Sequence, residues 1–500
     1  MPAAFTHQFD NALFKGTTTV NTGLFINGQF VDSVDGATID VFDPTTGKVI
    51  TKVAAASAKD VDAAVQAAKA AYKSSWGLKV PGFERGRLLG KLADLIEKNI
   101  DELSALEALD GGKPFLHAKT MDLPGVIACI RYYAGWADKN FGKTIETTEA
   151  KFAYTRHEPI GVCGLIVPWN FPLLIASWKI GPALACGNTI ILKPSEVTPL
   201  TALRLAELVT EAGFPAGVFN VLPGLGSVAG QAITEHNDIG KVSFTGSTIV
   251  GRKIMETAAK TNLKRVTLEL GGKSPTIIFD DADLEQAIKW AAGGIFMHSG
   301  QVCAAGSRIF VQEGIYDKFV EIFKGAAQSF KRGDGFDPSV NQGPLVSQTQ
   351  LERVLGYIEA GKQEGAKLQV GGAKAGAEGY FVEPTIFTDV KADMKIVREE
   401  IFGPVAVIVK FKTEEEVIQL ANDTVYGLSS NVFSQNINRA LRVAHALEAG
   451  SAYINQAAVP DFQVSFGGVK QSGFGKDMGE YALESYTQVK AVHVNLGLNL

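Results

Sequence analysis

Between residues 160 and 270, short runs of branched apolar residues alternate with helix-forming segments roughly every 25 residues, a rhythm that admits few folds. VCGLIV (162–167), TIILK (189–193), VFNVL (218–222), KVSF (241–244) and RVTLEL (265–270) read as strands of a doubly wound parallel sheet with helices between them. Such sheets take ligands outside the carboxyl ends of their strands. The polar, Gly- and Pro-rich words PWN, KPSE, PGLG, FTGS and ELGG fall at those ends, so a site is expected along one edge. After Gly272 a second α/β unit is predicted. Its strands are SPTIIF, SRIFVQ, PVAVIVKF, SSNVF and SAYI, and its helices lie near 283–298, 316–330, 350–364, 414–422 and 437–448.

The flanks are less regular. Residues 1 to 22 are polar and predict a surface arm or frayed end. GLFINGQFVDSV alternates around Asn27-Gly28, a hairpin signal. DVDAAVQAAKAAYKSSW predicts one amphipathic helix and FERGRLLGKLADLIEKNIDELSALEALDGGK a second, ended by Gly111-Gly112; VIACIRYYAGWADKNF predicts a third. KFAYTRHEP and the terminal TQVKAVHVN alternate as detached strands without a neighbour in either unit, and such edges invite pairing with another subunit.

Five hundred residues exceed one core and suggest about two to three domains. A net charge of -5 without charge blocks offers no footprint for nucleic acid. No apolar run reaches the roughly 18 residues that a membrane span needs. The start lacks an h-region, the first arginine is Arg85, and NLGLNL is no peroxisomal address, so the expected compartment is the cytoplasm. Cys129, Cys163, Cys186 and Cys303 have no CxxC spacing and fit reduced thiols; the seven histidines form no HExxH or HxH pattern, and no metal site is expected.

Cys303 in SGQVCAAGS sits among glycines and small residues, where a substrate carbon can approach it closely. It reads as a nucleophile or as a small buried hydrophobe. Thirty-four residues earlier, RVTLELGGKSP leaves Glu269 at a strand end, facing a cleft or water. LELGGKSP and GQVCAAGSR together resemble the aldehyde dehydrogenase superfamily. The resemblance runs from FINGQF through SFGGVKQSGFG to the last strand, and is nearest to broad-specificity members acting on fatty, retinal and acetaldehyde-type substrates. It implies a dinucleotide-binding domain (1–139 and 160–270), a catalytic α/β domain (271–472) and a small β oligomerisation extension (140–159 and 473–500).

The cofactor words have their own chemistry. Gly224-Leu225-Gly226 is followed by Gly230, one residue late for G-x-G-x-x-G. FTGSTIVG places Gly246 and Ser247 at a strand-to-helix turn, either as a phosphate cradle or as a plain N-cap. Lys193 and Glu196 of KPSE suit ribose hydroxyls or a surface ion pair. The resemblance chooses the adenosine ribose, and an acid there favours NAD over NADP. It also gives Glu400 to the nicotinamide ribose, Phe402 to the ring, and Ile166, Pro168, Trp169, Gly226, Gly230, Phe244, Gly246, Ser247 and Leu270 to the same pocket.

A thiol beside a hydride acceptor allows aldehyde oxidation through a thiohemiacetal and a thioester. Asn170 in VPWNFP and the Cys303 backbone N–H are the expected oxyanion donors, and Glu269 the base for water. Lys179 relays protons or caps a surface. Phe171, Trp178 and Phe466 match family positions lining the aldehyde channel. Around it this chain carries Met297, Val302, Ala304 and AAVPDFQV (457–464), with few rings, which suggests room for bulky or aryl aldehydes. Asp477 stands where relatives commonly have glutamate, which leaves its relay role open. Acyl transfer to coenzyme A is a second reading, against which Glu269 argues; an inactive structural protein of the same fold is a third. The expected partners are a small-molecule aldehyde and copies of the chain, with a homotetramer ahead of a dimer.

Overall fold

The computed structural model describes residues 3–457 and 459–499. Ala458, in the AAVPDFQV segment, lies outside the described residues. All five strands expected between 160 and 270 form and lie side by side in one sheet, in the order Arg265–Glu269, Lys241–Thr245, Val162–Ile166, Thr189–Lys193, Phe219–Val221. They run parallel, because the connections between successive strands contain helices that return the chain to the same end of the sheet. Gly473–Phe474 extends one edge antiparallel, and the hairpin Leu24–Ile26/Gln29–Val31 extends the other. Asn27 and Gly28 turn that hairpin with φ of 53° and 78°, the positive pair a two-residue primed turn requires.

The second unit is a seven-stranded sheet, parallel except for Lys367–Val370 at one edge. The central strands of both sheets are buried on their two faces, as those of helix-covered parallel sheets are. The terminal strand Thr487–Asn495 pairs antiparallel with Lys151–Pro159 over nine residues, and Thr144–Thr148 adds a third strand. The two segments expected as detached strands are therefore each other's neighbours, apart from both large sheets. No described helix is long and apolar enough to cross a membrane.

Three expectations are corrected. Residues 4–21 are not a frayed end: Ala4–Asp10 and Lys15–Asn21 pair as a hairpin. Phe9 is buried and its ring meets Phe14 at 5.3 Å and Phe336 at 5.5 Å. The long helix of 83–111 breaks at Asn99 into Gly82–Lys98 and Ile100–Gly111; the Asn99 amide donates to Leu95 O at 2.7 Å and closes the first of them. Finally, the helix expected to reach 298 stops at Phe296, because His298 and Ser299 turn left-handed (φ 50° and 54°) and throw the chain into the Cys303 loop.

Candidate active site

The two motifs that carry the resemblance meet through their glycines. Beyond Glu269 the chain runs through Leu270-Gly271-Gly272 against the Cys303 loop. A β-carbon on Gly272 would collide with the Cys303 carbonyl, and one on Gly271 with the Glu400 carboxylate. Only bare backbone lets the strand end, the thiol loop and Glu400 share this space. Glu400 in turn accepts from the Gly272 N–H at 3.0 Å.

Cys303 is half-buried. Burial pushes its thiol up to about 12, the charges of Glu400 and Glu269 push the same way, and the Ala304 and Cys303 backbone N–H groups oppose them. Asn170 is buried on the loop before the helix Pro172–Ala185, and its amide donates to Gln301 O at 2.9 Å, which sets it against the nucleophile loop. Glu269 is 5% exposed, so it does not sit in water at a strand end. Burial holds its carboxyl well above the ordinary range, with Asp477 adding to the rise and Lys179, Lys476 and the Gly468 backbone opposing it. One of its oxygens has no hydrogen-bond partner among the described residues. Lys179 caps no surface: it is buried and pairs with Asp477 at 2.7 Å.

Beside this cluster a cavity of about 960 Å³ opens at the carboxyl ends of the first sheet. Nine expected residues line it: Ile166, Pro168, Trp169, Lys193, Glu196, Gly226, Gly230, Phe244 and Gly246. Lys193 Nζ donates to Pro194 O at 2.9 Å and approaches Glu196 Oε2 at 3.3 Å. Burial draws this ammonium below its ordinary value against the pull of Glu196. Ser247 and Leu270 are not in that lining. Ser247 is the N-cap of the helix Thr248–Lys260, accepting from Val250 N–H at 3.4 Å, and Leu270 packs against Gly251. Glu400 and Phe402 sit in a neighbouring recess with Gly272 and Val302. Phe402 has φ 61°, and its ring meets Trp169 edge-on at 5.2 Å, which joins recess and cavity. Sequence reasoning missed Ser195, Val250 and Lys253 in the lining; the last two follow from helical spacing after the Ser247 cap.

Of the expected channel residues, Trp178 and Phe466 are buried and face each other at 5.5 Å. Phe171, Met297 and Val302 are half-buried, and Phe171 packs on His298 at 5.2 Å.

A doubly wound sheet with a large cleft at its strand ends, and a thiol, an amide and a buried carboxylate gathered next to it, is the architecture of an α/β enzyme. The chain belongs to the aldehyde dehydrogenase family, whose description matches residues 30–492. It is 61% identical over 496 residues to an aldehyde dehydrogenase of Agaricus bisporus, covering 99% of each chain. Among solved structures, the NAD+ complex of aldehyde dehydrogenase from Bacillus cereus is similar at a TM-score of 0.94 and 50% identity, over 95% of this chain and 97% of that one. A mutant of the P. syringae indole-3-acetaldehyde dehydrogenase in complex with NAD+ and IAA has the same TM-score at 43% identity, over 95% and 97%.

Proposed function

We propose that the protein oxidises aldehydes to carboxylic acids with NAD, through a Cys303 thiohemiacetal and thioester that a Glu269-activated water hydrolyses. The observation that carries this reading is the meeting of Cys303, Glu269 and Glu400 across Gly271 and Gly272, next to the cavity that Lys193 and Glu196 line. The cavity is of the size a cofactor occupies. A lysine and a carboxylate at one end and the Glu400 carboxylate toward the other suit two sets of ribose hydroxyls, and apolar Ile166 and Phe244 suit an aromatic base. Gly246, at the start of the helix that Ser247 caps, would meet phosphate, and Phe402 would flank the nicotinamide. Glu196 would repel a 2′-phosphate, which favours NAD over NADP.

When bound, the nicotinamide supplies the acceptor for the hydride that turns thiohemiacetal into thioester. The chain does the remaining work. Burial disfavours the Cys303 thiolate, so the thiol of this half-buried residue gives its proton to water in the cleft as sulfur bonds to the aldehyde carbon. The oxygen that becomes negative is met by the Asn170 amide and the Cys303 backbone N–H. Glu269, made more basic by burial, takes a proton from water as that water attacks the thioester. Lys179 and Asp477 stand behind Glu269 as a proton relay. Acyl transfer to coenzyme A would need no such base.

In this reading residues 1–139 and 160–270 carry the cofactor, 271–472 the thiol, and 140–159 with the terminal strand of 473–500 the contacts of a homotetramer. Free thiols on all four cysteines fit the cytoplasm. Phe171, Trp178, Met297, Val302 and Phe466 line a channel roomy enough for bulky or aryl aldehydes, a substrate class to which the P. syringae relative's name also points. NADH formation over a panel from acetaldehyde to phenylacetaldehyde tests this. Cys303→Ser should abolish the signal with every aldehyde, and a signal that persists in the mutant rejects the mechanism. A strong preference for acetaldehyde rejects the roomy channel.

A further inference from the structure

Behind Phe171 lies a closed cluster of charge that the reaction does not use. The helix Ile100–Gly111 buries its last nine residues, Glu107 and Asp110 among them. Gly112 then turns left-handed (φ 72°) and sends Lys113 back toward them. Lys113 Nζ donates to Glu107 Oε2 at 2.9 Å and to Asp122 Oδ2 at 2.5 Å; the Lys113 and Glu107 side chains are 2% and 0% exposed. Burial opposes the Lys113 charge, but Asp122 and Glu107 outweigh it and hold the ammonium above its ordinary value.

The cluster reaches the aldehyde side of the site at two points. Glu107 Oε1 accepts from the Leu173 N–H at 3.0 Å, which fixes the backbone directly after Asn170 and Phe171. The Lys113 ammonium stands 4.8 Å from the centroid of the Phe171 ring, which also packs on His298. The same turn is tied to the nucleophile loop: Phe115 N–H donates to Gly335 O at 2.9 Å, Gly112 abuts Pro344, and Ser299 Oγ donates to Gly343 O at 2.6 Å. Stability alone is a poor reason for such a cluster, since desolvation offsets most of the attraction between buried charges. Orientation of a ring is a better one, because a desolvated cation within about 6 Å of an aromatic face holds it.

We propose that Lys113, clamped by Glu107 and Asp122, is a positioning residue that fixes the Phe171 ring and thereby sets the preference of the enzyme among aldehydes. The inference rests on the reading that Phe171 lines the aldehyde channel. A ring released from the cation swings into the channel and obstructs an aryl substrate more than acetaldehyde.

The test uses the full-length enzyme with Phe171 replaced by mono-, di- and trifluorophenylalanine, which weaken the negative face of the ring at nearly constant shape. Phenylacetaldehyde kcat/KM relative to acetaldehyde should fall with each fluorine, to about tenfold, through KM rather than kcat. Lys113→Met should give a similar ratio, and fluorination in that background should change nothing further. A ratio indifferent to fluorination, or one that shifts equally with and without Lys113, overturns the proposal. If Lys113→Met fails to fold with two carboxylates left unpaired, the fluorine series decides alone. Phe171→Leu separates the role of Lys113 from that of the channel. If it alters selectivity while fluorination does not, the role of Lys113 fails and the channel stands; if neither alters any aldehyde's KM, the channel assignment itself has failed.

Discussion

Burial holds the Glu269 carboxyl above its ordinary range, and the same burial opposes folding. A folded pKa above the unfolded one means that the native state binds more protons, so stability falls as pH rises between the two values. The penalty is absent below the ordinary value of 4.5 and complete above the raised one. Glu269→Gln should therefore be more resistant to urea than the wild type at pH 8 and equal to it at pH 4, while thioester hydrolysis, followed as turnover after the first burst of NADH, nearly stops. In the wild type that hydrolysis should quicken with pH as the carboxyl loses its proton, and Glu269→Gln should lose this limb. Asn170→Ala removes one oxyanion donor and should lower kcat about a hundredfold; a circular dichroism spectrum matching wild type would confirm that the fold is intact. Cys303, Glu269 and Asn170 were legible because each sits in a short word of turn-forming residues. The Lys179–Asp477 pair was not, since its members are 298 residues apart in the chain and no local pattern links them.

Among the elements, runs of branched apolar residues located the five strands of the first sheet, and alternation with turn chemistry the Asn27-Gly28 hairpin, since these signals act within a few residues. The first hairpin escaped the same reasoning. In Lys15–Asn21 only Thr18 and Val20 are buried, and the apolar surface that covers Phe9 comes from Phe14, nearby in sequence, and from the distant Phe336. A short polar hairpin is marginal by itself and forms here because an aromatic cluster receives it. Phe9→Ala should therefore cost about 3–5 kcal/mol in chemical denaturation, the range for emptying a buried aromatic site. The break at Asn99 was missed for a related reason: Ile100–Gly111 is buried on nearly all sides, so it lacks the one-sided apolar stripe that would separate it from the amphipathic helix before it.

At the scale of the whole molecule, the three-stranded sheet is the feature that bears on the proposed homo-oligomer. Thr144–Thr148 is exposed along its length, and Ile145, Phe152 and Val489 are exposed apolar side chains on this small sheet. Two open edges and apolar side chains in water favour pairing with another copy. Val489→Lys, 62% exposed in one chain, should leave that chain folded but shift its mass in light scattering from an oligomer toward a single subunit. The local chemistry of the sequence determined which residues form strands, where the chain turns, and which short words bring a thiol, an amide and a carboxylate to strand ends. Tertiary structure alone decided that Gly271 and Gly272 join those words, that Lys179 meets Asp477, and that Lys113 stands behind Phe171. It also decided the chemistry of the groups themselves: the raised thiol of Cys303 and the raised carboxyl of Glu269 come from removal of water by residues far away in the chain, and no stretch of sequence contains that quantity.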